Sequence, residues 1–203
     1  QFAILTALVL WMLPALAQTV AIQHTVEADG HPMALWEKSV AQPKGHILLH
    51  HGRTWSSIPD FDLQVSGEDL SLMDGFNDRG YSVWALDARG YGETPRDSSG
   101  WNTPDRAAQD LSIVLDWLRA RNGETTHVWG WSYGSMVAQL TAQRYPQAVA
   151  SVTLFGYPTD PDAQIPQSNS QSEPSARPTT RAAAASDFIV PGSISQHAID
   201  TYV

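Results

Sequence analysis

Three features of these 203 residues predict an α/β fold with a mainly parallel sheet and helices on both faces. Short, nearly continuous apolar runs at His46–His50, residues 81–86, Thr126–Trp131 and residues 148–155 read as strands, of the kind a parallel sheet buries on both faces. Stretches with apolar residues at helical spacing lie between them. A sharp turn built from two glycines and a serine then leads from one strand straight into a helix-forming run. Strands and helices alternating in this way imply right-handed strand–helix–strand units. The length suits one domain with a sizeable core.

The first 17 residues stand apart. Residues 2–13 are almost all apolar, Pro14 breaks the run, and Ala15-Leu16-Ala17 gives a small-x-small pattern before Gln18. This is the apolar region and cleavage site of a secretory signal peptide, and it is shorter than the roughly 20 apolar residues of a membrane span. The expected location is secreted or periplasmic, with no stable membrane association after cleavage; an uncleaved membrane anchor is the alternative. No basic stretch precedes the run and the chain opens at Gln1, so its beginning is expected to be truncated.

Residues 20–28 alternate apolar and polar, Asp29-Gly30 is a hairpin signal, and residues 32–40 read as the return strand. The strand His46–His50 follows a turn at residues 42–45 and ends in the loop His51-Gly52-Arg53-Thr54-Trp55. Residues 67–78 are expected to be helical, with Leu70, Met73, Asp74 and Asn77 on one face and Gly80 as the stop. The next strand, 81–86, leads into the glycine-rich loop 87–95. Residues 104–121 have the strongest helical pattern: Thr103 as N-cap, Pro104 in the first position, Asp105 in the first turn, and an apolar stripe of Ala107, Leu111, Val114, Leu115 and Leu118. Residues 135–144 are expected to form the helix after the serine turn, and residues 148–155 a further apolar strand. Beyond Gly156 the composition turns to Pro, Ser, Gln, Asn and Thr, with short helical stretches at 182–185 and 195–202.

Composition excludes several functions. A formal net charge of −9 with no basic run argues against nucleic-acid binding. The absence of cysteine removes disulfides, thiolate metal sites and cysteine nucleophiles. His50 and His51 are adjacent, and neighbours on a strand point to opposite faces, so no metal site is expected from them. No cofactor is expected.

The chemistry centres on Gly130-Trp131-Ser132-Tyr133-Gly134, a G-x-S-x-G pattern set between strand and helix. In that setting the pattern marks a nucleophile elbow, with Ser132 as the candidate nucleophile. Gly130 and Gly134 permit close backbone approach there. Acyl transfer also needs donors for the developing oxyanion. The backbone N–H of Tyr133, after the nucleophile and at a helix N-terminus, is one; that of Arg53, in the loop after the earlier buried strand, is the other. One of the two histidines, His51 in the candidate set with Gly52, is expected to order that loop. Trp55, Trp101 and Trp131 hint at an apolar pocket for a small-molecule substrate.

Taken in order, His51-Gly52, Asp87-Ala88-Arg89-Gly90-Tyr91-Gly92 and Gly130–Gly134 resemble the α/β-hydrolase superfamily over roughly residues 46–155. The resemblance implies a serine hydrolase of esterase or lipase type; a peptidase, a C–C hydrolase, a cofactor-free haloperoxidase-like role, or a non-catalytic binding protein on the same fold fits the same residues. Serine at this position argues against dehalogenase- or epoxide-hydrolase-like chemistry, where the family uses aspartate. Asp87 and Arg89 are expected to satisfy loop backbone groups. The family order of nucleophile, acid, histidine leaves His197 as the downstream histidine, with Asp160, Asp162, Glu173, Asp187 and Asp200 as acids, none following a convincing buried strand. Residues 18–155 are therefore expected to be the N-terminal part of the core and 156–203 the start of a cap, with the acid and histidine beyond Val203 and the fragment itself inactive.

If the leader is cleaved as expected, protein recovered from a secreting host will begin at Gln18. Intact-mass and N-terminal peptide mass spectrometry check this, and a retained residue 2–17 segment would favour the anchor.

Overall fold

A computed structural model describes residues 20–157, 175–176 and 178–203. The expected leader, and residues 158–174 of the expected cap, lie outside the described residues.

Six strands form one sheet: β1 (Ile22–Ala28), β2 (His31–Lys38), β3 (His46–His50), β4 (Ser82–Leu86), β5 (Thr126–Trp131) and β6 (Val149–Phe155), in the order β1-β2-β4-β3-β5-β6. The hairpin at Asp29-Gly30 pairs β1 with β2, with Ala28 opposite His31, and β2 runs antiparallel to β4. The remaining pairs, β4 with β3, β3 with β5 and β5 with β6, are parallel. The chain leaves β3 toward β4, then crosses back over β3 to reach β5. Right-handed connections that run in opposite directions fall on opposite faces of the sheet.

The side chains of β3 show the result. Leu48 packs with Trp84, Val128 and the apolar stripe of α3 (Pro104–Asn122) and with Val137 and Ala138 of α4 (Tyr133–Arg144). Ile47 and Leu49 face the other way, toward Phe61 of α1 (Ser57–Phe61) and Met73 of α2 (Leu72–Asp78). Helix α3 is built as its sequence prescribes: the Thr103 hydroxyl accepts from the Arg106 N–H, Arg119 and Arg121 lie in the last turn, and Gly123 closes it at φ 80°. Two short helices, α5 (Arg181–Ala185) and α6 (Gln196–Tyr202), end the described chain.

One expectation is corrected, and one helix was not expected. The helix expected over residues 67–78 begins at Leu72, because Gly67 takes φ +80°, Val65 bridges Glu68, and the Ser71 side chain caps the Asp74 N–H. Helix α1, only five residues long, is too short for periodicity to reveal it. Strand β6 lies at the edge of the sheet, with Phe155 57% exposed.

The segment from α1 to α2 is fastened to the sheet by a buried charge. Lys38, at the end of β2, is fully buried and donates to Asp62 Oδ1 at 2.5 Å and to Asp74 Oδ1 at 2.7 Å. Gln64 donates to both carboxylates and Ser71 to Asp62, so most of the polar capacity of the cluster is used. Burial pushes the Asp74 carboxyl up, but the hydrogen bonds from Lys38 and Gln64 outweigh it and hold the group below the ordinary carboxylate value. Removing one partner of such a cluster strands the others. Lys38→Met should therefore destabilise the fold by about 3–5 kcal/mol, read as a lowered urea midpoint with an unchanged slope.

Candidate active site

Strand β5 and helix α4 meet at Ser132, whose backbone sits at φ 53° and ψ −116°. A non-glycine residue with positive φ is held there by its surroundings, at a cost on the order of 1–3 kcal/mol. The surroundings are specific. The Ser132 N–H donates to the Phe155 carbonyl at 2.8 Å, which ties the turn to the end of β6. The Ser135 hydroxyl donates to the Gly130 carbonyl at 2.6 Å and accepts from the Phe155 N–H at 3.0 Å. A Cβ on Gly134 would lie 2.1 Å from the His50 carbonyl oxygen, and one on Gly130 would lie 2.4 Å from that of Gly134. Only glycine permits both approaches.

The loop after β3 runs beside this turn: a Cβ on Gly52 would come within 3.4 Å of the Ser132 Cβ. His51 orders the loop. Its Nε2 accepts from the Ala88 N–H at 3.0 Å, so in the neutral ring Nδ1 carries the proton and donates to the Gly52 carbonyl at 2.7 Å. Burial lowers its pKa to about 4 and keeps the ring neutral. His50 is likewise lowered to about 3, by burial and then by His51. The two rings do not point to opposite faces as expected; their centroids are 5.5 Å apart, because the strand ends at His50 and alternation stops there. No group of His, Asp or Glu able to hold a metal occurs among the described residues.

Asp87 behaves as expected, accepting from the Ser57 N–H at 2.8 Å, the Trp36 indole at 2.9 Å and the Glu93 N–H at 3.1 Å. Arg89 does more than expected. It donates to the Ala28 carbonyl but also forms a two-point ion pair with Asp110 of α3, at 2.6 and 2.7 Å. The pair fixes the glycine-rich loop to the helix behind the sheet.

Ser132, Gly52 and Arg53 open onto a cavity of about 790 Å³. Its walls are aromatic: Trp129 stacks on Phe155 at 5.4 Å and meets the edge of Phe61 at 5.8 Å. Trp131 and Trp55 also line it, whereas Trp101 does not and is exposed. The segment from Asp187 to Tyr202 contributes Asp187, Phe188 and Tyr202 to the wall. Tyr202 packs against Trp55 at 5.0 Å and Phe188 at 5.1 Å, and the Trp55 indole donates to Asp187 at 3.0 Å.

Of the downstream triad candidates, Asp187 reaches the cavity, but Asp200 and His197 are exposed on α6 and do not line it. Asp160, Asp162 and Glu173 lie outside the described residues. No histidine lines the cavity among the described residues.

Asp60 is a wall residue that sequence reasoning missed, since nothing marks a polar residue within a five-residue helix. Its Oδ1 accepts from the Tyr202 hydroxyl at 3.1 Å; its Oδ2 is shielded from water and has no partner among the described residues. Burial raises its pKa to about 7; the Tyr202 hydrogen bond opposes this, and the charges of Asp87 and Asp187 add to it.

The strand–turn–helix bearing Ser132, the glycine loop beside it and the sheet order define an α/β hydrolase. Residues 45–191 match the model of the alpha/beta hydrolase fold family, and the chain belongs to that family. It is 29% identical over 157 residues to the lysophosphatidylserine lipase ABHD12 of Macaca fascicularis, covering 74% of this chain and 34% of that protein. It is 27% identical over 128 residues to the human serine hydrolase BPHL, covering 59% and 39%. The chain thus spans about a third of the length of the curated relatives it matches. Among solved structures, a CIB-like hydrolase from Thermoplasma acidophilum superposes with a TM-score of 0.54 at 19% identity, covering 68% of this chain and 63% of that one. A bacterial membrane phospholipase A gives 0.56 at 22%, covering 68% and 40%.

The raised Asp60 pKa has a consequence for stability. An acid titrating higher in the fold than in the unfolded chain gives stability that is complete below the unfolded value, near 4, and lost as pH rises through about 7. Asp60→Asn should abolish that loss, gaining on the order of 2 kcal/mol over wild type between acid and alkaline conditions. Urea unfolding at about pH 4.5 and about pH 8.5 measures it.

Proposed function

We propose that this chain carries the nucleophile and oxyanion site of a serine hydrolase of esterase or lipase type. The observation that carries the reading is Ser132 at positive φ between β5 and α4, facing an aromatic cavity beside the Gly52-Arg53 loop. In this reading the Ser132 Oγ attacks the ester carbonyl carbon. The carbonyl oxygen, now an oxyanion, is held by the N–H groups of Tyr133 and Arg53. The C–O bond to the leaving alcohol breaks, the alcohol takes a proton, and water then releases the acid from the acyl-serine. Tyr133 is the first residue of α4, where N–H groups have no partner within the helix and the helix dipole favours negative charge.

His51 and Gly52 serve as support, since the ring of His51 is neutral and its nitrogens are committed to backbone groups. The base that takes the Ser132 proton is assigned to no residue of the described cavity. The names of the relatives, a lysophosphatidylserine lipase and a serine hydrolase, support ester chemistry. Residues 156–203 are read as the start of a cap, supported by Asp187, Phe188 and Tyr202 in the cavity wall. The apolar leader supports a secreted or periplasmic location. Among the described residues no helix is long and apolar enough to cross a membrane.

The absence of a histidine from the described cavity wall favours one second reading, a binding protein that keeps the fold without turnover. A fluorophosphonate probe separates the two. Under the hydrolase reading the probe labels Ser132 in the protein, and Ser132→Ala abolishes labelling; an unlabelled serine, or label that persists in the variant, refutes the nucleophile assignment.

A further inference from the structure

The cavity wall carries charges of both signs. The positive charge of Arg53 acts on Tyr133, next to Ser132. The charges acting on Asp60 are those of Asp87 and Asp187, and both are negative. Asp87 is engaged by three donors from the protein, and Asp187 by the Trp55 indole. Asp60 is different: one oxygen accepts from Tyr202 and the other is shielded from water without a partner among the described residues. A buried carboxyl left in that state is normally met by a donor or a cation. The rings of Trp55, Phe61, Phe188 and Tyr202 line the same cavity, and aromatic faces attract cations, most strongly when water is excluded.

Resting on the serine-hydrolase reading of this cavity, we propose that it takes a substrate bearing a positively charged nitrogen, held by Asp60 and the aromatic rings around it. Asp60 is then a residue that sets specificity. Aromatic walls alone would accept any apolar group, but an ion-pairing carboxylate favours the cation over a neutral group of the same shape. The opposite charge in turn favours ionised Asp60. Cation binding below neutral pH therefore releases a proton from Asp60, helped by the hydrogen bond from Tyr202 and opposed by the negative charges of Asp87 and Asp187.

The test uses benzyltrimethylammonium as the cation and neopentylbenzene as its uncharged counterpart, with quenching of tryptophan fluorescence as the readout, since Trp55, Trp129 and Trp131 line the cavity. The cation should bind about tenfold more tightly than the neutral compound, and Asp60→Asn should remove most of that ratio. In the wild-type chain, which does not depend on the variant folding, affinity for the cation should rise about tenfold or more from about pH 5.5 to about pH 8.5, while that of the neutral compound stays flat. Equal affinities for the two compounds, a ratio unchanged by Asp60→Asn, or a flat pH profile for the cation each overturn the proposal. Fluorophosphonate labelling reports on Ser132 independently. Labelling without cation preference sinks the substrate inference alone, and cation preference without labelling sinks the nucleophile reading on which it rests.

Discussion

The contact between Gly134 and the carbonyl of His50 is the constraint on which the site depends. The backbone of α4 lies so close to the end of β3 that a methyl group would sit 2.1 Å from that oxygen. This approach seats the first turn of α4 on the carboxyl ends of the central strands. It places Ser132 beside Gly52, in the loop that also carries Arg53. At the end of β6, Phe155 accepts from the Ser132 N–H and donates its own N–H to the Ser135 hydroxyl, which holds the turn from the other side. Positive φ at Ser132 is a consequence of these packed contacts.

The loops at the same edge of the sheet are held mainly by buried polar groups. Asp87 collects three donors from three segments, His51 links its own loop to Ala88, and Arg89 pins the glycine-rich loop to α3 through Asp110. Lys38 does the same for the segment from α1 to α2. Each of these groups has its partners, as burial requires. Against that background Asp60, a residue of the cavity wall with one oxygen shielded from water and without a partner among the described residues, differs from the structural polar groups around it.

Membership of the alpha/beta hydrolase family explains the sheet and the turn, but a fold of this kind hosts many reactions. Specificity belongs to the walls of the cavity, and here those walls draw on both the loop after β3 and the segment ending in α6.

Local sequence determined the strands, the long helix and the elbow. Apolar runs, the caps of α3 and the spacing of Gly130, Ser132 and Gly134 depend on neighbours a few residues away, and their physics is legible in the chain. Tertiary structure decided the rest. The start of α2 was set by the capping of Ser71 and the Val65–Glu68 bridge, which interrupt a pattern that reads as helical. The side-by-side rings of His50 and His51 follow from where β3 stops. The charge of Lys38 is compensated by residues 24 and 36 positions away, and the carboxyl of Asp60 meets a tyrosine 142 positions away. Such pairings arise when distant segments are packed together, and burial then sets the protonation of the groups. For that reason the serine turn at Gly130–Gly134 was visible in the sequence, while Asp60 and the rings from α6 emerged only once the chain was folded.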